Sequence, residues 1–391
     1  MTGALNRVRV LDFTTTIAGP HCTRLLADLG AEVVKIEAPE GDMMRTRPPL
    51  RNGASTSFGQ LNAGKKSIAL DLKTPSAVEA VRRLVATADV VVENFRPGVM
   101  HRFGLDYEAL APIKPALIYC AISGYGQTGP SSQLPAYAPV IHAASGYDLA
   151  HMAYQGEERR PDYCGIYIAD VLTGTYAFGA IMTALYHRQL TGRGQMIDVS
   201  MLESMLSLTL SEIQAAQFTL PPLGRPIFGP VATKDGYINL SIASERTFQN
   251  LAIASGHPQW VTDPRFAQYN HRRTNWGELI DELEDWSGGR TTEEVQAVFD
   301  QHGVPSSPYR TVKEAMADPQ LTHRRAFTEI HDAGGTFRAL NPPFRMSDTP
   351  AKASPHVAAL GEHIEELLAK VGYSRAQISG FVSPAKSEPP A

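Results

Sequence analysis

Cysteine is scarce in this chain: three in 391 residues, Cys22, Cys120 and Cys164, far apart and odd in number. They make neither a metal-ligand spacing nor a disulfide framework, which suits a reducing cytosol. Neither sign of charge is in large excess, and a formal net charge of −4 gives no electrostatic case for nucleic acid or an acidic membrane surface as partner. The basic pairs Lys65-Lys66, Arg82-Arg83 and Arg272-Arg273 read as solvated surface. Long apolar runs are missing too: the most apolar segment, around Tyr176 to Tyr186, is too short to span a bilayer. The N-terminus lacks a basic stretch followed by an apolar one, so no secretory signal is expected and the expected location is cytoplasmic. There is no internal repeat and no heptad register.

What is present is a 43% hydrophobic, 19% charged chain, the composition of a globular protein with a sizeable core. The first half alternates short β-branched runs with amphipathic stretches. Strands are expected at Val8–Leu11, Val33–Ile36, Ser67–Leu72, Val90–Val92 and Leu117–Ile122. Helices are expected at His21–Leu29 and from Pro75. This pattern predicts a mostly parallel α/β sheet. The first strand-to-helix turn, Thr14-Thr-Thr-Ile-Ala-Gly-Pro20, lacks the Gly-x-Gly-x-x-Gly that lets a backbone approach a pyrophosphate, so a dinucleotide site there is disfavoured. A crevice at the strand C-termini is still expected. Further helices are expected over Thr175–Leu190, ending at the C-cap glycines of Thr191-Gly-Arg-Gly194, over Leu202–Phe218 and over His356–Val371, with a strand at Ile197–Val199. Pro221-Pro-Leu-Gly-Arg-Pro226 breaks regular structure and marks a linker. We therefore expect a large α/β domain over 1–220, a smaller α+β domain over 226–325, a return segment over 326–382, and a mobile polar tail over 383–391.

Rival catalytic motifs are lacking: no Gly-x-Ser-x-Gly, no His-Glu-x-x-His and no paired cysteines. One carboxylate stands out, Asp170 in Gly165-Ile-Tyr-Ile-Ala-Asp170-Val-Leu-Thr-Gly174. Among apolar neighbours at the start of a helix, it either caps that helix or acts as a nucleophile oriented by the helix end. His142 reads as a core histidine or a base, and Tyr137 as a core aromatic or a ligand contact.

Several segments together resemble the family III CoA-transferases, the group of the formyl-CoA and carnitine CoA-transferases, related to the α-methylacyl-CoA racemases. They are Val8-Arg-Val-Leu-Asp-Phe13, Ala18-Gly-Pro20, Leu26-Ala-Asp-Leu-Gly-Ala-Glu-Val-Val-Lys-Ile-Glu37, Asn62-Ala-Gly-Lys-Lys-Ser67, Asp71-Leu-Lys-Thr-Pro75, Val92-Glu-Asn-Phe-Arg-Pro-Gly98, Ser123-Gly-Tyr-Gly-Gln-Thr-Gly-Pro130 and Thr191-Gly-Arg-Gly-Gln195. The resemblance implies a Rossmann-like large domain and an interlocked homodimer. It also implies Asp170 as nucleophile, forming an aspartyl anhydride and then an aspartyl-CoA thioester. By position it implies CoA contacts at Ala18, Ala38, Leu70, Lys73, Asn94, Phe95 and Arg102, and substrate contacts at Ile17 and Tyr137. Acyl-CoA and a small carboxylic acid would be the substrates, with no tightly bound cofactor and no metal. Ile17 stands where formyl-CoA enzymes carry glutamine, and their polyglycine loop is not found; Leu134–Tyr137 and Ala144–Tyr147 are closer to the carnitine type. Ala136-Tyr137-Ala138 stands where the racemases place a histidine base. A racemase or a non-catalytic acyl-CoA-binding protein is the alternative.

Overall fold

The computed structural model describes residues 3–155, 160–161, 163–219 and 227–381; the expected linker at 221–226 and tail at 383–391 lie outside them. The described residues fall into two compact units, one within Met1–Leu149, Pro161–Leu210 and Thr322–Ala391, the other within Ala150–Arg160 and Ser211–Leu321.

The first unit is built on six parallel strands: β1 (Arg9–Asp12), β2 (Glu32–Glu37), β3 (Lys66–Ala69), β4 (Val90–Glu93), β5 (Ile118–Ser123) and β6 (Gln195–Ser200). Their spatial order is β3-β2-β1-β4-β5-β6, the Rossmann-like order with a switch point between β1 and β4, where a ligand crevice opens. Side chains on a strand point to alternate faces, and here both faces are covered. Leu11 and Val91 pack with Val81, Leu84 and Val85 of α2 (Pro75–Thr87). Val10, Val90 and Val92 pack with Cys22 and Leu26 of α1 (Ala18–Asp28) on the other face. This two-sided burial is why the strands read as unbroken β-branched runs. Each such aliphatic side chain, fully buried, contributes about 1.5–3 kcal/mol. Thr74 caps α2 by accepting the Ala77 N–H, with Pro75 in the first turn, as Thr-Pro there predicts.

Four more helices follow: α3 (Ala138–Ala144), α4 (Tyr147–Ala153), α5 (Ile168–Thr191) and α6 (Met201–Leu206). The 24 residues of α5 give it the length and apolar composition of a membrane span, more than the stretch around Tyr176–Tyr186 suggests. Its stripe of Ala169, Thr173, Ala177, Ile181 and Ala184 is buried, and Ala177, Ile181 and Ala184 share a core with α1 and the sheet, so it forms a layer of that core. The sequence reading starts this helix at Thr175. It begins a full seven residues earlier because Ala169, with Ile168 beside it, packs against Ile141, Met201 and Met205. Gly192 ends it at φ +73°, as expected.

The expected helix over Leu202–Phe218 is interrupted after Leu206, and Leu210–Ala215 is a separate turn of helix. The Ser207 and Thr209 hydroxyls donate to the carbonyls of Ser204 and Leu206, the competition that weakens helices at such residues.

The second unit holds β7 (Phe228–Ala232), β8 (Tyr237–Ser241) and β9 (Ser306–Pro308) in an antiparallel sheet. Helices α7 (Glu245–Ala254), α8 (Trp276–Ser287) and α9 (Thr292–His302) pack around a core of Phe248, Trp260, Trp276, Leu279 and Phe299. The chain then returns to the first unit with the hairpin β10 (Phe327–Asp332) and β11 (Gly335–Leu340) and helix α10 (Ile364–Lys370). The expected helix from His356 is shorter because His356 pairs as a β-bridge with His331, and Gly361 turns at φ +72°.

Candidate functional site

A crevice of two adjoining cavities lies at the switch point. One, of about 330 Å³, is lined by Ala38 to Asp42 of the loop after β2, by Leu70 to Lys73 after β3, and by Phe95 and Phe103. The other, of about 250 Å³, is lined by Ala18, Asn94, Arg96, Ser132, Tyr137, Met201 and Asp170, among others. Thr15, Met43 and Phe95 belong to both walls, so the two form one groove. Every lining residue lies in the first unit.

The loops that build the groove are fixed from beneath. Asp12, fully buried at the end of β1, accepts from the Thr14 N–H and hydroxyl and from the Thr23 hydroxyl, and pairs with Lys65 at 2.9 Å. Burial alone would raise the Asp12 pKa, but Lys65, then Lys35 and the two hydroxyls outweigh it and hold the carboxyl at about 2. Lys35 donates to the Thr14 carbonyl and pairs with Asp42 at 3.0 Å. Glu37 takes both Nε and Nη2 of Arg45 at 2.7 Å and the Asp42 N–H at 3.0 Å. Thr15 and Asn94 exchange two hydrogen bonds of 2.8 Å, clamping the β1 turn to the end of β4. Between these anchors Thr16 is held at φ +68°, a left-handed conformation that a β-branched residue adopts only when its surroundings enforce it.

Asp170 sits in the first turn of α5, two residues past the helix start, and accepts a hydrogen bond from the Ala18 N–H at the start of α1. It is not the cap residue: that position is Tyr167, whose side chain makes no capping bond. Burial pushes the Asp170 carboxyl from 3.8 to about 6, partly offset by the Ala18 N–H. It is thus largely ionised at neutral pH yet poorly solvated, the state of a competent nucleophile. The close approach of α1 and α5 requires Gly174, where a Cβ would stand 2.4 Å from the Ala18 carbonyl oxygen.

Of the residues singled out in the sequence, Ala18, Asn94, Phe95, Tyr137 and Asp170 share the smaller cavity. Ala38, Leu70, Lys73 and Phe95 share the larger. Arg102 lines a shallower hollow next to it, which also contains Lys73 and Phe103. Ile17 does not reach the groove wall; it is buried at the N-cap position of α1. Tyr137 is 61% exposed, which takes it out of the core and sets it at the rim. His142 is buried and accepts the Ala169 N–H on Nε2 at 3.1 Å; burial lowers its pKa, against the pull of Asp148. Among the described residues, Lys73, Arg96 and Arg102 form no ion pair, so two cations in the groove and a third in the adjoining hollow are of the kind that meet phosphate or carboxylate. The reading from sequence missed Thr15, Thr16, Met43, Arg96, Ser132 and Met201. The run of three threonines where β1 meets α1 is the signal that could have found the first two.

A family model described as CoA-transferase family III matches residues 5–364. The chain is 36% identical to the succinyl-CoA–D-citramalate CoA-transferase of Chloroflexus aurantiacus, over 93% of this chain and 92% of that protein. It is 35% identical to the human succinyl-CoA:glutarate CoA-transferase, over 94% of this chain and 86% of that one. Among solved structures, a CAIB/BAIF family protein from Brucella suis superposes with a TM-score of 0.83 at 33% identity, covering 95% of this chain and 100% of that one.

Proposed function

The chain belongs to CoA-transferase family III, whose members move CoA between acyl-CoA and carboxylate, and from that premise we propose that Asp170 carries the transfer covalently. The observation that carries this reading is a buried, mostly ionised carboxylate at the head of α5, facing a groove that holds Arg96 beside it and Lys73 in the larger cavity, with Arg102 in the adjoining hollow.

In the first step an Asp170 carboxylate oxygen attacks the thioester carbonyl, the C–S bond breaks, and an aspartyl anhydride and CoA thiolate result. The thiolate attacks the aspartyl carbonyl, releasing the first acid as its carboxylate and leaving an aspartyl-CoA thioester. The acceptor carboxylate attacks that thioester, giving a second anhydride and free thiolate. Attack of the thiolate on the acceptor acyl carbonyl forms the new thioester and restores Asp170. One thioester is exchanged for another, so the cycle needs no ATP. The groove has to hold the thiolate close and keep water from the anhydride. Lys73 and Arg102 are suited to the phosphates, Ala38, Leu70 and Phe95 to the nucleotide and pantetheine, and Tyr137 to the acid.

The outer face of α5 and its approach expose Ile166, Tyr167, Val171, Tyr176, Tyr186 and Leu190. An apolar face of that extent supports the homodimer expected from the resemblance, and sedimentation equilibrium tests it. The three cysteines are free thiols, which supports a cytoplasmic setting. The covalent step is tested by incubating the protein with succinyl-CoA and glutarate or citramalate, quenching with hydroxylamine, and sequencing peptides by mass spectrometry. A hydroxamate at Asp170 is the expected product. Rapid exchange with no modification at Asp170 would overturn the mechanism.

A further inference from the structure

The first turn of α5 has no conventional cap. Its N-cap residue, Tyr167, offers no side-chain oxygen to the free N–H groups, and helix starts left that way lose stability unless another group supplies an acceptor. The Ile168 N–H finds the Ile166 carbonyl, and the Val171 N–H the Tyr167 carbonyl. The Ala169 N–H, immediately before the nucleophile, is taken by a side chain from another helix: Nε2 of His142 on α3, at 3.1 Å.

That bond fixes the imidazole. Nε2 must present its lone pair, so the proton resides on Nδ1, which is buried and has no partner among the described residues. The ring is enclosed, only 1% exposed, and lies at 5.9 Å from the Tyr147 ring. The adjoining cluster is apolar: Ala138, Ile141, Ala169, Met201 and Met205. The elements packed round it carry ionisable groups that include Tyr147 and Asp148 of α4, Asp170 of α5 and Glu203 of α6. Of these, Asp148 favours a charged ring and burial opposes it. Helix α3 starts directly after Tyr137, so a single seven-residue helix joins the rim of the groove to the turn that carries the carboxylate.

We propose that His142 is a positioning residue: as a neutral acceptor it supplies the missing cap of α5 and holds the Ala169–Asp170 peptide where the Asp170 carboxylate meets both the Ala18 N–H and the groove. It touches no reacting atom. The inference rests on the covalent role proposed for Asp170. Without the acceptor a buried N–H is orphaned, and the first turn relaxes toward another partner. A shift of about 1 Å at a nucleophile lowers its rate up to a hundredfold.

Two substitutions separate acceptor from bulk. Glutamine at this position, His142→Gln, keeps an oxygen that reaches the Ala169 N–H; His142→Met fills the same space without one. Both are assayed for steady-state exchange with succinyl-CoA and glutarate, for KM of the acyl-CoA, and for the rate of hydroxylamine-trapped modification at Asp170. His142→Met should lose kcat by about 30- to 100-fold with KM for the acyl-CoA little altered, and should acylate Asp170 correspondingly slowly. His142→Gln should recover most of both rates. A His142→Met protein that acylates Asp170 at the wild-type rate, or a folded His142→Gln protein as slow as one lacking the acceptor, would overturn the proposal. If His142→Met fails to fold, the His142→Gln rates decide alone. Wild-type exchange without any Asp170 modification would instead sink the covalent reading on which this one depends.

Discussion

Replacing Asp170 with asparagine should make the protein more stable while removing its activity, and the size of the gain follows from the site. The folded state raises the Asp170 carboxyl from 3.8 to about 6, chiefly by burial. Between those values the folded chain binds a proton more tightly than the unfolded one, so stability from this group falls as pH rises through that window. Above it the folded state carries an unfavourable carboxylate amounting to about 3 kcal/mol. Asp170→Asn never ionises and retains an oxygen for the Ala18 N–H, while its amide protons need partners of their own. The net gain at pH 8 is expected at about 1–3 kcal/mol, a rise in melting temperature of about 3–8 °C for a unit of this size. At pH 4 that gain should be gone, the variant melting with the wild type or somewhat below it by the cost of its unpartnered amide protons. Circular dichroism melts of both proteins across pH 4–8 provide the measurement. The opposite outcome has its own physical basis: if Asp170 chiefly complemented the positive end of α5, the substitution would lower stability by about 0.3–1 kcal/mol. A variant less stable than wild type at pH 8, or a gap that does not close in acid, refutes the reasoning. The same ionisation predicts that wild-type kcat falls as pH drops through about 6.

Gly174→Ala puts a methyl 2.4 Å from the Ala18 carbonyl oxygen, so α1 and α5 must part; a loss of about 1–3 kcal/mol and a larger loss of kcat are expected, read by thermal melts and exchange assays. Thr16→Gly relieves a left-handed threonine at φ +68°; relief of about 1–2 kcal/mol of strain should offset the flexibility of glycine, leaving the melting temperature unchanged or higher while kcat falls as the turn loosens. Lys73→Ala and Arg102→Ala each remove a cation in the groove region that has no ion-pair partner among the described residues; KM for acyl-CoA should rise about tenfold each, more than kcat falls, and the salt dependence of KM should weaken.

The sheet was legible because both its faces are buried, which leaves Val10, Val33, Val34 and Val90 to Val92 as plain β-branched runs. Asp170 was legible as an ionisable group in an apolar stretch, but its place within the helix was not. The start of α5 depends on Ile168 and Ala169 finding Ile141, Met201 and Met205, contacts made across more than 25 residues of chain and invisible to local periodicity. For the same reason His142 read as either core or catalyst. Its ring is in the core, and its function lies in one lone pair aimed at a distant N–H. Thr16 carried no local sign of its conformation, since the strain is imposed by Asp12, Lys35 and Asn94 acting on its neighbours.

The two sides of the groove have different origins in the chain. Thr15 and Asn94, locked together by their paired hydrogen bonds, stand just past the ends of β1 and β4, adjacent strands at the centre of the sheet, whereas Ser132 to Tyr137 and Met201 come from segments that follow β5 and β6. One bank is therefore tied to the centre of the sheet, while the other can be rewritten by insertions and exchanges that leave the sheet untouched. Under the proposed function, a scaffold divided in this way can diversify the acids it accepts while keeping its grip on a common carrier, and grafting the 132–137 segment between relatives is the route to redirecting it.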